Sequence, residues 1–252
     1  MRLLLAPLML LLAACAPAPT AGAPLSDWAA VIVAGDDHAG HSGGATTETF
    51  DNARRDLATA FEAKGFSAAN LRQFSLRPER YPPPRPLKTD AAAVLDTLRG
   101  LSAKASGGCL VYFTSHGSPE GIVVGNALVA PLMMRMILDK ACGERPSVVI
   151  LSACFSGVFV PALKKDDRMI LTAARRDRSS FGCSESDKYP YFDACMLQVL
   201  PAAPDFPSLG PRVQACVARR EREEGARPAS QPQVWVGKRF RAEAPAFGNG
   251  AS

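Results

Sequence analysis

Apolar residues fall along this chain in two alternating rhythms. Short unbroken runs at residues 28–34, 109–114, 148–151 and 169–173 have the length and β-branched character of strands buried on both faces. Between them, apolar side chains recur at helical spacing: Ala53, Leu57, Ala60 and Phe61; then Val94, Leu95, Leu98 and Leu101; then Leu132, Met133, Met136 and Ile137. Thr46 or Thr47 offers a cap to the first of these helices and Gly65 its stop, while Thr89 or Asp90 caps the second and Gly107-Gly108 closes it. Pro131 opens the third, whose methionines are expected as core filler rather than ligands.

Shorter features complete the pattern. Residues 70–76 form a second strand, and the prolines of 78–86 bar regular structure after it. Gly125-Asn126 turns a hairpin between 122–124 and 127–129. A polar loop covers 175–190, helical stretches lie near 193–200 and 210–224, and 233–236 reads as a last strand. Beyond Arg239 the chain reads as a frayed tail. Strand and helix alternate almost throughout, which predicts an α/β fold with a mostly parallel sheet of about six strands and helices on both faces.

Composition narrows the function. The formal charge of +5 is spread among interleaved acids and bases, with no basic stripe, so no nucleic-acid partner is expected. The chain start has a different character. Arg2, an apolar stretch at 3–12 too short to span a membrane, and small residues after it have the layout of a secretory signal. Leu12-Ala13-Ala14-Cys15 resembles the lipobox of bacterial lipoproteins, which implies a signal peptide at 1–14 and a lipidated Cys15 as membrane anchor. Residues 15–27 then form a tether, 28–240 a single folded domain and 241–252 a tail. Ala16 in place of an acidic residue points to an outer-membrane lipoprotein on the periplasmic face of the bacterial envelope.

Export permits disulfides. With Cys154 set aside as a reactive thiol, Cys109, Cys142, Cys183, Cys195 and Cys216 are an odd number, so at least one stays unpaired or pairs outside the chain. Cys109, at the head of an apolar run, is expected as a small core residue. Cys183 with Cys195, or either with Cys142 or Cys216, is left as the pairing. No Cys-x-x-Cys occurs to suggest a thioredoxin-like site or a zinc knuckle.

Two of the apolar runs end in chemistry. Val111-Tyr112-Phe113-Thr114-Ser115-His116-Gly117 delivers a histidine, and Val149-Ile150-Leu151-Ser152-Ala153-Cys154-Phe155-Ser156-Gly157 a cysteine. The carboxyl ends of parallel strands are where open α/β sheets present their sites. There a thiol and an imidazole form a nucleophile with its proton-transfer partner, and small neighbours permit a tight turn and close approach of substrate. The backbone N–H groups of Gly117 and Cys154 are candidate oxyanion donors.

An apolar run before Ser-His-Gly, followed by one before Ala-Cys, resembles the legumain-like cysteine peptidases, family C13, which share the caspase fold. The Trp28 strand with Gly35, the helix ending at Gly65, the strand to Thr172-Ala173-Ala174 and Arg178-Ser179-Ser180-Phe181-Gly182-Cys183 fit the same pattern in order. The interval from His116 to Cys154 is shorter than the roughly 50 residues of the caspase signature, and Ser152 replaces its glutamine. The resemblance implies a caspase-like three-layer sandwich. It also implies an endopeptidase acting on protein or peptide substrates, with Cys154 as nucleophile, His116 as acid and base, and neither metal nor cofactor required.

For specificity, the family's acidic residue two before the cysteine is Ser152 here, its acid beyond the Ser-Ser segment corresponds to Asp193, and its arginine after the first strand has no equivalent, since Arg54 and Arg55 lie in poor register. Ser179 and Ser180 would pair with an extended substrate. His38 and His41 lie near the family's histidine-orienting asparagine, and are expected as solvated loop residues. The altered Ser152 favours a competing expectation, an inactive caspase-fold binding module in the envelope, and the extra cysteines give a third and weaker one, a redox protein.

Overall fold

A computed structural model of the chain describes residues 22–40 and 44–248. The expected signal peptide and lipobox-like segment with Cys15, and His41, lie outside the described residues, as does the last part of the expected tail. Among the described residues no helix is long and apolar enough to cross a membrane.

The elements run β1 (Trp28–Ala34), α1 (Thr49–Ala63), β2 (Leu71–Ser75), β3 (Leu87–Lys88), α2 (Ala91–Ser102), β4 (Gly108–Thr114), β5 (Gly117–Ser118), β6 (Gly121–Val124) and β7 (Ala127–Val129). They continue with α3 (Pro131–Cys142), β8 (Ser147–Ser152), α4 (Phe159–Leu163), β9 (Arg168–Thr172), α5 (Tyr191–Val199), α6 (Phe206–Glu223), β10 (Gln233–Val236) and α7 (Lys238–Glu243). Seven strands form the main sheet in the order β10-β9-β8-β4-β1-β2-β3, parallel except for β10, where about six were expected. The extra strand is the two-residue β3, which pairs with β2 at Phe74↔Leu87 just after the proline-rich segment.

Strict alternation along the strands sends side chains into two separate cores. Trp28, Ala30, Ile32, Leu110, Tyr112, Val148 and Ile150 meet α1, α5 and α6 on one face. Ala29, Val31, Val33, Val111, Phe113, Val149 and Leu151 meet α2, α3 and α4 on the other. The period of two explains why these strands read as continuous apolar runs, since both faces are covered. Asp90 caps α2 by accepting the N–H groups of Ala92 and Ala93 at 2.9 Å. On α1, the buried pair Arg54 and Asp51 (Nε to Oδ1, 2.7 Å) is joined by Ser75 Oγ, which donates to Asp51, and Gln73 Oε1, which accepts from Arg54 Nη1, while Nη2 makes no hydrogen bond. This polar knot ties α1 to β2.

Four expectations need correction. Leu132, Met133 and Met136 are 57%, 52% and 50% exposed, and the buried stripe of α3 is Met134, Ile137, Leu138, Ala141 and Cys142. Only Ile137 is shared with the predicted stripe. Cys109 is no free core thiol: it is bonded to Cys142, linking the start of β4 to the end of α3. The chain beyond Arg239 does not fray within the described residues, because Phe240 and Phe247 are buried and Phe247 meets Phe206 edge-on at 4.7 Å. The proline-rich stretch is not wholly irregular either, as residues 78–80 make a 3-10 turn.

Candidate active site

The register of the two central strands brings the chemistry together. Thr114 of β4 lies opposite Ser152 of β8, so His116 and Cys154, each two residues further on, leave the sheet at the same level on neighbouring strands. Parallel neighbours stand about 4.8 Å apart. Both residues line one open cavity of about 620 Å³ with Ala39, Gly40 and the wall formed by 179–186, which includes Ser179, Ser180 and Cys183. Gly117 abuts the Cys154 peptide: a Cβ there would lie 2.4 Å from the Cys154 carbonyl oxygen and 3.0 Å from the Ala153 Cβ. Only glycine lets the two strand ends approach this closely.

Cys154 sits at a sharply turned position. The next residue, Phe155, has φ 57°, a left-handed conformation that bulky side chains rarely adopt. Its N–H donates to the Arg178 carbonyl at 2.8 Å, and the N–H of Ser180 donates to Cys154 Sγ at 3.3 Å. Ser156 Oγ donates to the Ala153 carbonyl at 2.7 Å and accepts the Ala174 N–H, which closes the turn beneath the thiol. The Ser180 donor to the sulfur belongs to the neighbouring 179–186 wall, whereas the helix after Cys154 is the five-residue α4, preceded by a 3-10 turn.

His116 is fixed by its surroundings. Nε2–H donates to the backbone carbonyl of His38 at 2.9 Å, and the ring meets Phe50 edge-on at 5.1 Å. In the neutral ring this makes Nδ1 the basic nitrogen. The His38 peptide is itself held: Asp36 Oδ1 accepts the N–H groups of Asp37 and His38 at 2.7 and 3.1 Å, and Arg77 reaches Asp37. The His38 ring is half exposed and pairs with Asp36 and Asp37, which raises its pKa, the Asp36 hydrogen bond being the main cause. The orienting role thus falls to a backbone carbonyl, while the ring stays on the surface as expected. A carbonyl carries no residue-type signature, and the Asp-Asp turn that fixes it was the signal overlooked.

The predicted specificity residues are placed differently. Ser152 is buried, as is Asp193, and neither lines the cavity. Asp193 lies under the strand tips, accepting from Tyr112 Oη at 2.5 Å and Thr114 Oγ at 2.6 Å. Burial pushes its carboxyl up to about 7, against the lowering pull of those hydroxyls. Ser152 stands close enough to lower the Asp193 pKa, yet its Oγ makes no hydrogen bond of good geometry. These two residues therefore support the floor of the site from below rather than reach a ligand in the cavity. Arg54 is spent in the buried knot with Asp51, and Arg55 faces outward to Asp56.

Among the described residues, Cys109–Cys142 and Cys195–Cys216 are disulfides, and Cys154 and Cys183 are thiols. Cys183 is the odd cysteine that the count required. The chemistry this arrangement can perform is thiol addition to a carbonyl bound across the cavity, with proton transfer through His116.

The model of the Peptidase C13 family matches residues 86–200, a span that holds His116, Gly117, Cys154 and the 179–186 wall. Among solved structures, the crystal structure of caspase-1 from Spodoptera frugiperda is similar with a TM-score of 0.61 at 13% identity, over 87% of this chain and 90% of that one. At that identity the likeness is one of fold. No curated protein matches the chain in sequence.

Proposed function

Taking the chain as a legumain-like protein on a caspase fold, we propose that it is a cysteine endopeptidase, with Cys154 as nucleophile and His116 as its acid and base. The observation that carries this reading is the shared level of the two strand tips, Thr114 opposite Ser152, which puts imidazole and thiol on one cavity. In the first step Sγ of Cys154 attacks the scissile carbonyl carbon. The developing oxyanion takes hydrogen bonds from the N–H groups of Gly117 and Cys154. His116, holding the thiol proton, gives it to the leaving amine, and a thioester remains on Cys154. His116 then draws a proton from water, which attacks the thioester and frees the acid product and the thiol.

Ser179 and Ser180 present the edge against which an extended peptide lies. Ser180 then serves twice, its N–H on the thiol sulfur and its neighbours on the substrate. Ser152 and Asp193 act on substrate choice only by shaping the floor.

Attachment to the bacterial envelope through lipidated Cys15 is part of the same reading, supported by the leader sequence. Intact mass of the membrane-extracted protein tests it: acyl chains on an N-terminal Cys15 are expected, and their absence overturns it.

The test of the activity is exposure to a mixed peptide library with mapped cleavage sites, beside a Cys154→Ala control. Cleavage with a defined residue preference, lost in the control, is expected. Cleavage that survives in the control refutes the assignment, and a folded wild-type protein that cleaves nothing supports the binding-module alternative.

A further inference from the structure

We propose that Cys183 is a redox partner of Cys154: hydroperoxide closes a disulfide between them across the cavity and reversibly switches the nucleophile off. The two thiols left outside disulfides among the described residues both line the same cavity. The segment that touches Cys154 also carries Cys183, since the Ser180 N–H donates to Cys154 Sγ and Cys183 follows three residues later. The segment carrying Cys183 contains no helix or strand from residue 173 to residue 190. Single hydrogen bonds hold it, Gly40 N–H donating to the Cys183 carbonyl at 3.4 Å and Tyr191 N–H to the Phe181 carbonyl at 2.9 Å, with Thr47 and Thr49 donating to the Ser184 carbonyl. A shift of the thiol toward Cys154 therefore works against isolated bonds rather than a ladder.

Gly182, at φ 88°, sets the turn that delivers Cys183. A Cβ there would lie 2.6 Å from the Tyr191 ring and 2.8 Å from its backbone nitrogen, so the approach is built closely against α5. The environment also orders the chemistry. Burial, and next the charge that Cys154 acquires as thiolate, push the Cys183 thiol up to about 12, so Cys183 is the slower of the two to react with an oxidant.

The steps balance with hydroperoxide as the oxidant. The Cys154 thiolate attacks the peroxide, the O–O bond breaks, and Cys154 sulfenic acid forms while the other oxygen leaves as water or alcohol after taking up a proton. Sulfur of Cys183 then attacks the Cys154 sulfur, the S–O bond breaks, and the Cys183 proton leaves with the hydroxyl as water. Two thiols have lost two electrons and one peroxide has gained them. A dithiol reductant reverses the bridge by exchange. The four remaining described cysteines are already oxidised and nearly fully buried, so mild reduction reaches the new bridge first.

This inference takes from the proposed function only the reactivity of Cys154, and its test reads masses rather than proteolysis. The whole protein is treated with excess hydrogen peroxide, then alkylated, digested and mapped, with dithiothreitol recovery measured by an active-site thiol probe. In the wild type, a peptide joining Cys154 to Cys183 is expected, with at least tenfold loss of probe labelling that dithiothreitol restores. In Cys183→Ser, Cys154 is expected to carry two or three oxygens that dithiothreitol does not remove. Cys183→Ala, with circular dichroism, guards against a misfolded serine variant. Overoxidised Cys154 without a bridged peptide in the wild type, or equal recovery in both proteins, overturns the proposal. A protein that bridges but cleaves no peptide refutes the peptidase reading alone, and one that cleaves through Cys154 but never bridges refutes this inference alone.

Discussion

The buried carboxyl of Asp193 makes a quantitative prediction about stability. It lies under the tips of β4 and β8, accepting from Tyr112 and Thr114, and burial lifts its pKa from 3.8 to about 7. In the unfolded chain the group ionises near its ordinary value. Between about pH 4 and pH 7 the folded state therefore holds a proton that the unfolded state has lost. Stability from this group is fully present below about pH 4, declines as pH rises, and is lost above the folded pKa. A little over three pKa units at 1.36 kcal/mol each sets a ceiling of about 4 kcal/mol. Asp193→Asn keeps the shape and one acceptor oxygen but cannot titrate. At pH 4 the variant is expected to be less stable than wild type by about 1 to 2 kcal/mol, the worth of a buried hydrogen bond. By pH 8 the order reverses, and the stability gap moves by up to about 4 kcal/mol. Urea unfolding at unit steps from pH 4 to pH 8, followed by fluorescence of Trp28 and Trp235 with disulfides intact, measures it. A gap that stays constant within about 0.5 kcal/mol across this range refutes the reasoning, because it means Asp193 has the same pKa folded and unfolded.

Three further outcomes follow from the packing. Gly117→Ala forces a Cβ to 2.4 Å from the Cys154 carbonyl, so a cost of about 1 to 3 kcal/mol in thermal unfolding and at least tenfold loss of peptide cleavage are expected together. Replacing Cys109 and Cys142 by alanine opens a link across a sequence separation of 33 residues, and urea unfolding should show a loss of about 3 to 4 kcal/mol by the chain-entropy account. Arg54→Met strands Asp51 in a fully buried site, with an expected loss of about 3 to 5 kcal/mol. Adding Asp51→Asn should recover much of it, and a double variant no better than the single argues against the buried pair.

The main sheet was legible because parallel strands covered on both faces must be apolar throughout, and runs of that kind stand out at 28–34 and 109–114. His116 and Cys154 were legible for a related reason, as a reactive residue amid small ones just past such a run marks a strand tip. Their meeting depended on the neighbouring register of β4 and β8, which the resemblance to a known fold implied and local pattern did not. The stripe of α3 differs because apolar residues at 132–134 and 136–138 leave two faces to choose from, and the exposed face carries Leu132, Met133 and Met136. Cys109 with Cys142 joins a strand head to a helix end, a proximity that exists only after folding. Position near the end of the chain makes the residues beyond Arg239 read as frayed, while Phe240 and Phe247 are the apolar signal that they dock. The depth of Asp193 beneath Tyr112 and Thr114 has no local signal, since it comes from the packing of α5 on the sheet.

The central claim is covalent chemistry at Cys154, and trapping the intermediate tests it most directly. A peptide or peptide ester cleaved by the protein is mixed with excess enzyme, quenched in acid within the first turnover and analysed by intact mass and peptide mapping. The account predicts an acyl group on Cys154 in the wild type, slower to form in His116→Ala, and none in Cys154→Ala. Cleavage that proceeds at the wild-type rate in Cys154→Ala, with no acyl group at residue 154 at any time, contradicts it.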